Sequence, residues 1–179
     1  QDSLVGSEMC IRDRSYRGHS SHMWAQKLGL DGFQEGDGDL VSELTSVMQL
    51  TETDMTILFR TLSTIQEPDS NHLTRAFYKE EEIPQKEWNS WLDRWWSRVD
   101  GRPDRESMLN ANPKYVLRNW IAQLAIDAAE KEDYSVATAL YEMLKKPYDE
   151  QPGNEEKWFS RRPEWARNRV GCSMLSCSS

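Results

Sequence analysis

Few residues in this sequence stand at spacings that could carry chemistry. Cys172 and Cys177 form a C-x4-C pair near the carboxy terminus, which is not the C-x-x-C at a helix start that lowers a thiol pKa. His19 and His22 have the spacing of a ligand pair, but no acid or thiolate stands in register, so a solvated loop is expected. Asp31 and Gly36 occupy positions one and six of a calcium loop. Phe33 at position three and Ser42 at position twelve, where a bidentate carboxylate is required, break that pattern. Gly36-Asp37-Gly38 is followed by Val41 where a phosphate-cradling loop needs a third glycine, and no Gly-Lys-Ser/Thr occurs. His-Arg-Asp and Asp-Phe-Gly are absent as well. Arg161, Arg162, Arg167 and Arg169 could dock on an acidic surface, but a solvated tail is the plainer expectation. Glu80 to Glu82 and Glu155-Glu156 are likewise expected to be solvated faces. No catalytic, cofactor-binding or metal-binding residue is assigned. Cys177 and Cys172 remain as the candidate site residues.

Composition narrows the classes. The 179 residues carry a net charge of −8, with 29% charged residues and a pI near 5.0. Nucleic-acid binding needs clustered Lys and Arg, so this balance argues against it, and equally against an anionic membrane surface. Mean hydropathy is −0.80, and no apolar run approaches the roughly 20 residues of a bilayer span. Three cysteines make no disulfide framework, which favours a reducing compartment.

The elements that would position any site read as helices. Met23, Trp24 and Leu28 suggest a short helix stopped at Gly29, and Asp31 to Gly38 a loop. Leu40, Val41, Leu44, Val47 and Met48 share one helical face. Thr51 with Asp54 resembles a capping box before Met55, Leu58, Phe59, Leu62 and Ile65. After Pro84, the residues Trp88, Trp91, Leu92, Trp95, Trp96 and Val99 form an aromatic stripe, expected to be core rather than a partner groove. Asn112-Pro113 reads as the cap and first turn of a helix through Leu117, Trp120, Ile121 and Leu124. Asp133 or Ser135 caps another, through Leu140 and Met143 to Pro147. No run alternates with period two, so the fold class is all-α. Val5 to Arg14 looks like a translated sequencing adaptor. The expected organisation is therefore a non-native 1–14, a helical region 15–147 and an irregular tail 148–179 ending Cys-Ser-Ser.

Several blocks carry a family resemblance. Asn112-Pro-Lys-Tyr-Val-Leu-Arg-Asn119, Ala122-Gln123, Pro147-Tyr-Asp-Glu-Gln-Pro152, Pro163-Glu-Trp-Ala166 and the terminal Ser176-Cys-Ser-Ser179 resemble the selenoprotein O family. Weaker agreement runs through Lys27-Leu-Gly-Leu30, Phe59 to Ser63 and Trp88 to Trp95, so the resemblance covers roughly residues 23 to 179 in collinear order. It implies a protein-kinase-like fold that uses ATP and Mg²⁺ to transfer AMP to Ser, Thr or Tyr hydroxyls of protein substrates. In that family the nucleotide-binding, metal-binding and catalytic residues lie in an amino-terminal kinase-like region, and none can be matched here. This chain would then be a carboxy-terminal helical part, inactive alone, whose partner is that amino-terminal region. The implied location is bacterial cytoplasm, or the mitochondrion in a eukaryote. The resemblance also implies a redox role for Cys177, which matches the selenocysteine-or-cysteine position before Ser-Ser. A cysteine of the kinase-like region would be its partner, and Cys172 the only native substitute within this chain.

A different class remains open from the residues alone. Ala128 to Tyr134 with Ala137 and Ala139 to Tyr141 has the character of a tetratricopeptide-type helix pair, which would make a partner-binding scaffold. One copy is not an array, because such pairs need about three stacked repeats.

Overall fold

The structure, a computed structural model, describes residues 18–172. The proposed adaptor segment 1–14 and Cys177 lie outside those residues. Helix α1 covers residues 18–28 and stops where the sequence places its breaker, at Gly29 with φ +64°. Only glycine fits there. A Cβ would stand 2.8 Å from Met108 Sδ and 2.9 Å from the Asp104 nitrogen, and that nitrogen donates to the Gly29 carbonyl at 3.0 Å.

Helix α2 (Asp37–Leu50) buries Leu40 and Leu44 against α4 (Gln85–Arg98). The acidic loop before α2 is fastened from α4. Arg98 grips the buried Asp37 through two bonds of 2.8 and 3.0 Å and reaches Asp31 at 2.9 Å. Helix α3 (Met55–Leu62) is capped by Asp54, whose carboxylate accepts from the Ile57 amide at 3.1 Å. No box forms at Thr51, because residues 51–54 are extended. The Asp54 amide donates to Ala76 and the Tyr78 amide to Glu52, around an antiparallel bridge between Thr53 and Phe77. Met55, expected on the apolar stripe, is 54% exposed, and Ile57 takes its place inside.

The tryptophan stripe is core, as expected. Trp88, Trp91 and Trp95 are fully buried. Phe77 meets Trp88 at 5.2 Å, Trp88 meets Trp91 edge-on at 6.2 Å, and Trp91 stacks on Trp95 at 5.9 Å between ring centres. Two indoles also close distant backbone. Trp91 Nε1 donates to the Leu40 carbonyl at 2.9 Å, and Trp95 Nε1 to the Leu28 carbonyl at 2.8 Å. That second bond satisfies a carbonyl at the end of α1, where no helical partner remains.

The later elements depart further from expectation. An unanticipated helix α5 (Arg105–Ala111) is capped by Asp104. Asn112 then ends α5 instead of opening the next helix, and α6 (Asn119–Ala129) starts only at Asn119. The reason is tertiary: the Asn112 side chain is occupied by distant groups, so it cannot cap the amides that follow. Helix α7 (Ser135–Leu144) forms as read, with Asp133 accepting from the Ser135 amide. Residues expected to be an irregular tail contain α8 (Pro152–Trp158) and a 3-10 turn (Glu164–Ala166). Trp158, Phe159, Ala166 and Cys172 are buried with the rest of the core. Among the described residues the fold is all-α, and none of its helices is long and apolar enough to cross a membrane.

Trp95→Phe should separate ring packing from the indole bond. It leaves the Leu28 carbonyl buried without its donor and is expected to cost about 2 kcal/mol. Trp96→Phe, at a half-buried position without that role, should cost under about 1 kcal/mol. Urea unfolding of both variants checks the order, and equal midpoints would contradict it.

Candidate functional site

Two of the blocks that carry the family resemblance meet in space. Residues 112–118 and 147–151 lie side by side: the Lys114 and Tyr115 amides both donate to the Pro147 carbonyl, at 2.9 and 3.0 Å. The prolines explain the local form. Pro113 has no amide to give a helix and pushes the residue before it to extended backbone, and Asn112 adopts φ −112°, ψ 92°. The chain bends at Lys114, and Lys114 and Tyr115 are both buried.

At the centre stands Arg60, whose side chain is 5% exposed. Its Nη1 donates to the carbonyls of Leu109 and Asn112, both at 3.0 Å. Its Nη2 donates to the Tyr148 carbonyl at 2.9 Å and to Glu150 at 2.6 Å. Lys114 Nζ bonds Glu150 at 2.6 Å and Glu155 at 2.8 Å, and Glu155 also takes Arg75 at 3.0 Å. Tyr115 donates its hydroxyl to the carbonyls of Glu150 and Gln151. Asn112 completes the hub, with Nδ2 donating to Lys27 O and Ser63 Oγ and Oδ1 accepting from Lys27 Nζ at 3.0 Å. A parallel clasp joins Arg118 to the buried Asp54 at 2.6 Å and to the Trp158 and Ser160 carbonyls.

Arg60, Arg75, Lys114, Glu150, Glu155 and Phe159 line an open cleft of about 300 Å³. Lys114 and Arg75 lie over the Phe159 ring at 5.2 and 4.8 Å. The Lys114 ammonium holds the carboxyls of Glu150 and Glu155 below the usual carboxylate range, with Arg60 and Arg75 adding to it. Burial pulls Lys114 itself down, but the two carboxylates outweigh burial and the net shift is upward. Each carboxylate of the cleft therefore faces two cations. That is an arrangement for fastening segments, with no carboxylate left to act as a base. The cleft also does not fit ATP–Mg²⁺. Among the described residues no three His, Cys, Asp or Glu converge as metal ligands, and both cleft carboxylates are already engaged.

The residues singled out from sequence fall elsewhere. Cys172 is a buried free thiol whose amide donates to Arg169 O. His19 and His22 are exposed, on α1 rather than in a loop. The tail arginines are paired, although Arg169 stays exposed. Arg162 and Arg167 share Glu52 at 2.6 and 2.9 Å, Arg169 holds Asp127 at 2.6 Å, and Arg161 reaches Glu80 and the Phe77 carbonyl. Glu155, read as a solvated acid, is a hub member. Arg60 and Lys114 were missed as site residues. The one signal that could have found Arg60 is a cation set inside the apolar face of α3, next to Phe59.

Lys114→Met tests the hub. Removing the buried cation from two partly exposed acids should cost about 2 kcal/mol at neutral pH. The sign with pH is fixed by the depressed carboxyls. Their contribution is complete above the unfolded carboxyl pKa of about 4.3 and is lost as pH falls through the lower folded values. The variant should therefore lose less stability between about pH 5 and pH 3 than the parent does. Urea melts across that range check it, and an unchanged acid limb would contradict it.

Comparison with known proteins gives the setting for this hub. A family model described as protein adenylyltransferase SelO matches residues 8–145. The protein nucleotidyltransferase YdiU of Flavobacterium johnsoniae is 52% identical over 170 residues, covering 88% of this chain and 32% of its own length. That of Aromatoleum aromaticum is 43% identical, covering 93% and 33%, and that of Rhodopirellula baltica 46%, covering 88% and 33%. This chain thus spans about a third of the length of the curated relatives it matches. On this match, the protein is a member of the protein adenylyltransferase SelO family.

Proposed function

We propose that this chain is the carboxy-terminal unit of an ATP-dependent protein adenylyltransferase. The match of nearly the whole chain to a third of proteins named nucleotidyltransferases carries this reading. In the reaction, a Ser, Thr or Tyr hydroxyl oxygen of a protein substrate bonds the α-phosphorus of ATP and loses its proton, and pyrophosphate leaves. ATP and Mg²⁺ bind in an amino-terminal kinase-like region, and the present unit supplies packing to it. The hub supports that division, because its charges are spent on one another. The enzyme works in the bacterial cytoplasm.

Cys177 completes the reading as a regulatory thiol that forms a reversible disulfide with a cysteine of the kinase-like region. Arg167 and Arg169, which could have lowered a nearby thiol pKa, are engaged by Glu52, Glu164 and Asp127. Cys172, being buried, is the poorer partner for Cys177.

Two measurements test the reading. The isolated 179-residue chain should show no ATP–Mg²⁺ binding by isothermal titration, whereas the whole-length enzyme should transfer labelled AMP to protein. Micromolar ATP binding by the isolated chain, or a whole-length enzyme without transfer, would overturn it. For the thiol, mass spectrometry of the oxidised whole-length enzyme should find Cys177 in a disulfide. Finding it always free would end that part.

A further inference from the structure

Helices α6 and α7 depart from the rest of this surface. The chain is 29% charged, and solvated surfaces are roughly a quarter to a third charged. Yet in the sequences NWIAQLAIDAA and SVATALYEML only Asp127 and Glu142 carry charge. Asp127 is itself neutralised by Arg169 at 2.6 Å. The inward side is already used: Trp120, Ile121, Leu140 and Met143 are buried, and the two helices pack chiefly on each other.

Much of what faces outward is apolar, beside exposed Asn119, Ser135, Thr138 and Glu142. Ile126 is 49% exposed, Tyr134 63% and Tyr141 64%. They recur at helical spacing with small residues: Ala122, Ile126 and Ala129 on α6, and Tyr134, Ala137 and Tyr141 at α7. Alanines between large side chains let another backbone approach closely. A helix pair that is apolar on both its inner and outer sides is the pattern of a buried element, not of a solvated one.

We propose that the outward face of α6 and α7 is the surface on which the remainder of the whole-length enzyme docks. This rests on the reading above that the chain is one unit of such an enzyme, and it names the contact. The relatives carry about two thirds of their length outside the part matched here, which is ample to cover the face. A second copy of this chain is the competing occupant. The acidic balance of −8 speaks against self-association in general, since like charges repel.

Cysteine accessibility decides between them. Ala137→Cys is made in this chain, and the matching substitution in the whole-length Flavobacterium johnsoniae relative. Maleimide labelling of that peptide is followed by mass spectrometry while sedimentation reports the chain's oligomeric state. Tyr141→Cys serves as a second probe should the first disturb folding, and Asp93→Cys, on the exposed side of α4, as a reference. The expected result is fast labelling in a monomeric chain and labelling about tenfold slower in the whole-length protein, where the site is reached only through local opening. Equal rates in both proteins would overturn the proposal. Slow labelling in this chain as well would also overturn it, in favour of a second copy if the chain sediments as a dimer. AMP transfer plays no part in the readout, so an inactive relative with a protected face would sink the proposed activity and leave this surface standing.

Discussion

A guanidinium that is 5% exposed must find partners or the fold fails, and much of this fold is arranged around giving Arg60 its partners. An unpaired buried charge is far more costly than an unmade neutral hydrogen bond. Arg60 therefore fixes three segments at once. It projects from α3, takes the last carbonyls of α5 at Leu109 and Asn112, and reaches across to Tyr148 and Glu150. The carbonyls at the end of α5 have no helical donors beyond the helix end, so one side chain settles two needs. Lys114 then shares Glu150 with it, and Glu155 shares Lys114 with Arg75. The result is a chain of alternating charge whose members are held by sequence separations of 36 to 90 residues.

The tryptophan wall solves a different problem by the same device. Large indoles fill the space between α1, α2 and α4, where a stripe of leucines would pack with less area per position. Each indole also brings a donor that must be used when buried. Trp91 and Trp95 spend theirs on helix carbonyls, at Leu40 in α2 and Leu28 at the end of α1. Packing and hydrogen bonding thus agree at these two positions, which sets the angle at which α1 meets α4. The ring nitrogens of Trp88 and Trp120 find no partner among the described residues; Trp88 contributes through packing, and Trp120 also carries Arg118 over its ring at 5.4 Å.

Local signals were legible in the sequence, and long-range ones were not. Gly29 stops α1 and the Trp stripe is buried because glycine conformation and helical period act within a few residues. The span of α7 follows for the same reason. Asn112 misled because the cap rule is local while its partners, Lys27 and Ser63, are 85 and 49 residues away. The same applies to Glu155 and to the tail arginines, whose polarity alone says solvent and whose partners lie on distant elements. Helix α8 was hidden by its own punctuation: Pro152 and Gly153 suggest a break, but proline is well suited to a first helical turn. Of the candidate site, the family blocks at 112–119 and 147–152 were visible as sequence. Their meeting in space was not, since nothing in either block names Arg60.

Charge gathered at the hub and apolar surface on α6 and α7 have different mechanical consequences. On the hub side, ion pairs with partly exposed acids resist sliding, because moving one segment by a few ångströms leaves buried Lys114 or Arg60 without a counter-charge. On the α6–α7 side, few charges need desolvating, so covering that face costs little beyond the loss of motion. A unit rigid within itself and inexpensive to cover is suited to bracing a larger body.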